Sequence, residues 1–145
     1  MSPEETNFAN VWGICDEDMF TRAIKEGDES YKNNRPFLNL IMTTSNHRPY
    51  TYPDGRIDIP AHTGRYGGVK YADYSVGKLI EDAKQKPWFK DTIFIFVADH
   101  TAGAGGKAEL DPRKYHIPLI FYAPDMIKPQ RFENIASQID VAPLS

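Results

Sequence analysis

With one cysteine, Cys15, the chain has no partner for an intramolecular disulfide and no set of thiolates for a cysteine-based zinc site. Long apolar runs are missing too. Residues 37–42 and 92–98 are the longest, far below the roughly 20 residues that a membrane helix takes, so this stretch is not expected to cross a bilayer. The opening Met1-Ser-Pro-Glu-Glu-Thr lacks the basic start and apolar core of a signal peptide; any export or anchoring signal is expected elsewhere. Nor is there a basic stripe to follow a phosphate backbone. The formal net charge is -3, with Lys and Arg interspersed among Asp and Glu, and nucleic acid is not an expected partner. No G-x-S-x-G serine elbow, internal repeat, low-complexity tract or linker is visible. What remains is an ordinary globular composition, 41% hydrophobic and 26% charged over 145 residues, enough for one core, so residues 1–145 read as one domain or a large part of one.

The apolar spacing predicts three kinds of element. Met19, Phe20, Ala23 and Ile24 recur at helical steps after Asp16, which predicts a helix from Asp16, as N-cap, to about Tyr31, fraying after Gly27. Val69, Ala72, Val76, Leu79, Ile80 and Ala83 form the clearest amphipathic row and predict a helix ending before Pro87. Residues 37–43, 92–98 and 117–123 are β-branched, aromatic or aliphatic runs and are predicted as strands, the last with Pro118 at its start or on an edge. Residues 48–63, rich in Pro, Gly, Asp and Tyr, read as an irregular loop. Strand, helix, strand in this order is a βαβ unit, which predicts an α/β fold with a mainly parallel sheet flanked by helices. Ligands of such sheets bind beyond the carboxyl ends of the strands, where His47 and the pair Asp99-His100 fall.

A carboxylate beside an imidazole suits Zn²⁺ or Mn²⁺. Neighbouring strand residues point to opposite faces, so both reach one ion only if the strand ends there and the backbone turns. Alone, the dipeptide fits better with Asp99 closing a loop and His100 packed or solvated. His47 alone fits better as a loop histidine bonded to backbone, and His62 and His116 carry less signal still. His116 stands at the start of the last strand, opposite to a carboxyl-edge site. The glycine-rich residues 103–108 miss the P-loop pattern, since Thr101 replaces its first glycine and Ala108 follows Lys107. They match a loose dinucleotide fingerprint, but Pro112 stands where its helix should run. Cys15, with no histidine near it in sequence, reads as core rather than nucleophile.

Five blocks, taken in order, are more specific than any motif alone. They begin at Trp12-Gly-Ile-Cys-Asp-Glu-Asp-Met-Phe, at Phe37-Leu-Asn-Leu-Ile-Met-Thr-Thr-Ser-Asn-His-Arg-Pro-Tyr, at Tyr71-Ala-Asp-Tyr-Ser-Val-Gly, at Ile95-Phe-Val-Ala-Asp-His and at Ile117-Pro-Leu-Ile-Phe-Tyr-Ala-Pro. The chain resembles the lipoteichoic acid synthase-like phosphoglycerol transferases and sulfatases of the alkaline phosphatase superfamily, over nearly its whole length. The resemblance implies an alkaline phosphatase-like α/β fold, here incomplete, and a C-terminal part of the catalytic domain. It also implies a divalent ion held by Asp99 and His100, Mn²⁺ first, with Zn²⁺, Mg²⁺ or Ca²⁺ as alternatives. His47 is implied to act on the transferred group or its leaving oxygen. Lys107 and His116 flank the loop that leaves the Asp99 strand, and for that reason are candidates to contact substrate anions or to orient ligands. The implied activity is phosphoglycerol transfer to lipid-linked or glycan substrates outside the cytoplasm, in a protein held at the cell membrane. A sulfate ester hydrolase shares this half of the site, and a binding domain that kept the fold without the chemistry is the non-enzymatic alternative. The family's nucleophile and acidic ligand precede every block matched here, so the 145 residues alone are expected to be inactive and prone to self-association through an open sheet edge.

Overall fold

The computed structural model of the protein describes residues 3–102 and 115–141. Its contacts divide the chain into two units, Met1–Phe89 and Lys90–Ser145. In the first, strands β1 (Ala9–Asn10) and β2 (Gly13–Ile14) pair antiparallel across a turn at Val11 and Trp12. Helices α1 (Asp16–Lys32) and α2 (Arg65–Lys84) then pack on each other. The inner row of α2 is Gly67, Tyr71, Ser75, Leu79 and Ala83, one residue every four, and α1 answers with Phe20, Ile24 and Gly27. Helix α1 does not fray at Gly27, because that residue faces the rings of Trp88 and Phe37. Asp28, next along, accepts from Lys86 Nζ at 2.6 Å and Trp88 Nε1 at 2.8 Å, which ties the end of α1 to the stretch after α2.

A tyrosine stack fixes the loop of residues 44–64 onto this helix pair. Tyr52 and Tyr71 lie nearly parallel, with ring centroids 4.9 Å apart, and enclose the Cys15 side chain. Burial pushes the Cys15 thiol above its ordinary pKa, so it is core, as its sequence context indicates. The Tyr71 hydroxyl donates to Glu17 Oε2 at 3.0 Å, and Arg56 Nε reaches the same oxygen at 3.0 Å; a buried bond to a charged acceptor is worth about 1.5–3 kcal/mol. Close approach is possible because α2 opens with two glycines. A Cβ on Gly67 would stand 2.1 Å from the Tyr52 hydroxyl, and one on Gly68 would stand 2.9 Å from the Tyr50 ring.

In the second unit, β3 (Phe94–Val97) pairs with β4 (Leu119–Tyr122) antiparallel, in the register Phe94↔Tyr122 to Val97↔Leu119. The pair departs from the expected mainly parallel arrangement, and the expected βαβ unit, from residues 37–43 through α2 to β3, has no paired strands among the described residues. Residues 37–43 make no ladder, and Leu38, Leu40 and Met42 stand 93%, 95% and 76% exposed. A strand exists only where a neighbour accepts its backbone bonds, and among the described residues no segment does so for 37–43. Pro118 precedes β4, where its missing donor costs the ladder nothing. No helix of the described residues is long and apolar enough to cross a membrane.

Candidate functional site

His47 lies in the first unit, on a short tight loop anchored to the buried first turn of α1. Asp16, fully buried, accepts through Oδ1 from the Thr44 and Ser45 backbone N–H groups at 3.0 Å and from Ser45 Oγ at 2.8 Å. Thr44 Oγ1 donates to the Ile14 carbonyl. Two overlapping turns follow, His47 N to Thr44 O and Tyr50 N to His47 O. A carbonyl oxygen only accepts, so the 3.1 Å contact between His47 Nδ1 and Arg48 O makes Nδ1 the protonated nitrogen. Nε2 of this exposed ring is thereby left for a ligand. The Trp12 indole packs against the imidazole at a 45° tilt with centroids 3.8 Å apart, and its Nε1 donates to the same Arg48 carbonyl.

Nearby cations favour an anionic ligand. Burial pushes the Tyr50 phenol up, but bonds from Arg65 and then Arg48 outweigh it and hold the group below the ordinary tyrosine value. His62, exposed in the same loop, donates its backbone N–H to Tyr50 O.

Asp99 and His100 lie in the second unit, just beyond β3, which ends at Val97. Both are exposed, with side-chain exposures of 80% and 69%. His100 N donates to Asp99 Oδ1 at 2.8 Å, and His100 Nδ1 donates to Thr101 O at 2.8 Å, which directs Nε2 away from the backbone. That Nε2 stands 3.5 Å from Asp99 Oδ2, close to the roughly 3.4 Å between two donors that are each about 2.1 Å from one tetrahedral ion. Gln138 Nε2 donates to the carbonyls of Ala98 and Asp99, at 2.9 and 3.1 Å, and pins the backbone that carries the pair. Among the described residues no third His, Cys, Asp or Glu joins a ligand cluster.

His116 is exposed just before β4. The expectation that it lies at the far end from Asp99-His100 was tied to parallel strands and is corrected here. In the antiparallel register Val97 faces Leu119, and Ala98 N reaches Pro118 O, so the chain enters β4 at the end where β3 delivers Asp99. Lys107 falls outside the described residues. Sequence reasoning named His47, Asp99, His100 and His116 but passed over the residues that hold them. Asp16 was read only as a helix cap, although Cys15 occupies that position; Trp12 and Tyr50 entered only as members of the matched blocks, and Arg65 and Gln138 were assigned no role. No local pattern announces such partners, because the contacts of Asp16, Trp12 and Gln138 join residues 28 to 40 positions apart.

The family model described as "Sulfatase" matches residues 1–144. The chain belongs to the sulfatase family. It is 25% identical over 108 residues to proteins named phosphoglycerol transferase I from Escherichia coli, Citrobacter koseri and Salmonella arizonae, a match covering 68% of this chain and 14% of each relative. It is also similar to the crystal structure of a protein in the alkaline phosphatase superfamily from Vibrio parahaemolyticus. That match has a TM-score of 0.85 and 38% identity and covers 95% of this chain and 34% of the other. The sulfatase-like α/β fold class therefore stands, as an incomplete example: the chain spans about a third of that structure and about a seventh of the curated relatives. Members of this superfamily are enzymes and generally depend on divalent metal ions.

Proposed function

We propose that these residues serve a metal-dependent phosphoglycerol transferase acting outside the cytoplasm on lipid-linked or glycan phosphoester substrates, in a protein held at the cell membrane. The observation that carries the reading is the 3.5 Å separation of Asp99 Oδ2 and His100 Nε2, with the His100 tautomer already set for ligation. Their oxygen and nitrogen donors suit Mn²⁺ or Zn²⁺. When bound, such an ion lowers the pKa of an attacking hydroxyl and neutralises charge on the non-bridging oxygens. His47 keeps its Nδ1 proton on Arg48 O throughout. Its Nε2, protonated as imidazolium, hands a proton to the leaving alkoxide and afterwards takes one from the acceptor hydroxyl. Arg48, Arg65 and His116 attract the anionic substrate. The nucleophile is proposed to lie outside residues 1–145, so these residues alone are catalytically silent. The names of the relatives favour phosphoryl transfer; the name of the matching family keeps sulfate ester hydrolysis as the second reading.

The test compares the full-length protein with Asp99→Ala, His100→Ala and His47→Gln variants, using a phosphatidylglycerol donor and, separately, an aryl sulfate. Metal-dependent transfer from the lipid that falls at least about 100-fold in each variant is expected, since outer partners of ligands already cost 10–100-fold. Wild-type turnover of the sulfate alone would establish the second reading. Full activity in Asp99→Ala would overturn the metal site.

A further inference from the structure

We infer that Trp12 is a positioning residue for His47, holding the imidazole in its Nδ1–H form with Nε2 turned outward. The significance for turnover rests on the role proposed for His47; the arrangement itself does not. Trp12 sits in the tight turn between β1 and β2, where its backbone N–H donates to Asn10 Oδ1 at 2.8 Å. Asn10 Nδ2 in turn donates to Thr51 Oγ1 at 2.8 Å. The hairpin is thus tied to the chain on the far side of the His47 loop before the indole makes any contact. From there the indole covers one face of the imidazole at a centroid distance of 3.8 Å and a tilt of 45°. Its Nε1–H and the His47 Nδ1–H converge on the two lone pairs of one carbonyl, Arg48 O.

Burial does not account for this placement, because Trp12 is 51% exposed. An exposed imidazole without such a lid turns about its side-chain bonds and exchanges tautomers. The tilted indole, in close contact, blocks rotation, and its N–H orients the carbonyl that selects the tautomer. The second anchor of the loop, Asp16, acts only on Thr44 and Ser45, ahead of the ring. Trp12 thus acts from outside the loop on the imidazole and on its acceptor together.

The experiment is side-chain ¹⁵N NMR of the histidines in the 145-residue chain at a pH where His47 is neutral, with His47→Gln for assignment. Wild type is expected in the Nδ1–H form, with strong cross-peaks between indole and imidazole protons. Trp12→Ala is expected to lower the Nδ1–H to Nε2–H ratio about fivefold, the size of one net hydrogen bond. Trp12→Phe, which keeps a ring but not the donor, should fall between. A ratio within twofold of wild type in folded Trp12→Ala overturns the inference. So does the absence of indole–imidazole cross-peaks in wild type, which needs no variant to fold. Failures separate cleanly: an unchanged tautomer leaves the role of His47 standing, whereas turnover surviving His47→Gln removes that role and leaves the tautomer result intact.

Discussion

Replacing Asp16 tests whether the loop of His47 is held by a buried carboxylate or merely lies against it. Oδ1 takes three donors, two of them backbone N–H groups, while Oδ2 is buried with no partner among the described residues. In Asp16→Ala the Thr44 and Ser45 N–H groups lose their acceptor, at about 1–3 kcal/mol each if they stay buried. Part of that loss is offset because an incompletely paired carboxylate, itself costly to desolvate, leaves the interior. The net expectation is a destabilisation of about 2–4 kcal/mol, a large share of the roughly 5–15 kcal/mol that holds a domain. Asp16→Asn keeps the accepting oxygen and shape and exchanges one unpartnered group for another, so it should stay within about 1 kcal/mol of wild type. Urea unfolding of the 145-residue chain gives the global cost, and hydrogen exchange at Thr44 and Ser45 gives the local one. Equal losses in the Ala and Asn variants would show that charge rather than the Oδ1 bonds matters. An Ala variant within about 0.5 kcal/mol of wild type, with both amides still protected, would refute the clamp.

Acid should loosen the first unit at two named carboxylates. Burial opposes ionisation of Asp18 and Asp28, yet bonds from Asn7 and Phe8 to the one, and from Lys86 and Trp88 to the other, hold both below the ordinary carboxylate range. A depressed folded pKa gives stability that is complete above the unfolded value of about 3.9 and drains as pH falls through the folded value. The urea midpoint should thus drop below about pH 4, less steeply in Asp18→Asn and Asp28→Asn; identical slopes in all three proteins would contradict the assignment. In the second unit, Gln138→Ala removes both bonds to the Ala98 and Asp99 carbonyls. In the full-length protein it should weaken Mn²⁺ or Zn²⁺ binding about tenfold by titration, and unchanged affinity would show that the backbone needs no such support.

Local chemistry made the helices and the two paired strands legible, and non-local chemistry hid the rest. The row from Val69 to Ala83 announced α2, but its first turn, Arg65 to Gly68, carries no apolar period; those glycines are there for the tyrosines above them. Gly27 looked like a helix end because a glycine lowers helix propensity, and nothing in sequence shows the Trp88 ring that requires a small residue there. Residues 37–43 have the composition of a buried strand, but composition specifies which face would be covered and not whether a neighbour is present to cover it. Resemblance, rather than spacing, singled out His47, Asp99 and His100, and their geometry then supplied what no motif carries: the tautomer of each imidazole.

The residues proposed to act on substrate are held in two different ways, and this bears on where binding energy must come from. His47 is fixed by groups beneath and beside it, a buried carboxylate and an indole, so little ordering remains to be paid when a substrate meets Nε2. Asp99 and His100 are exposed and are arranged by backbone bonds alone, from His100 N, to Thr101 O, and from Gln138 to the strand end. Two donors fall short of the three or more protein ligands that a zinc site usually supplies. If the pair holds the proposed ion, donors outside the described residues would have to complete its coordination. An ion on this pair would take its position from the register of β3 and β4, because the antiparallel ladder that ends at Val97↔Leu119 delivers both Asp99 and His116 to one end.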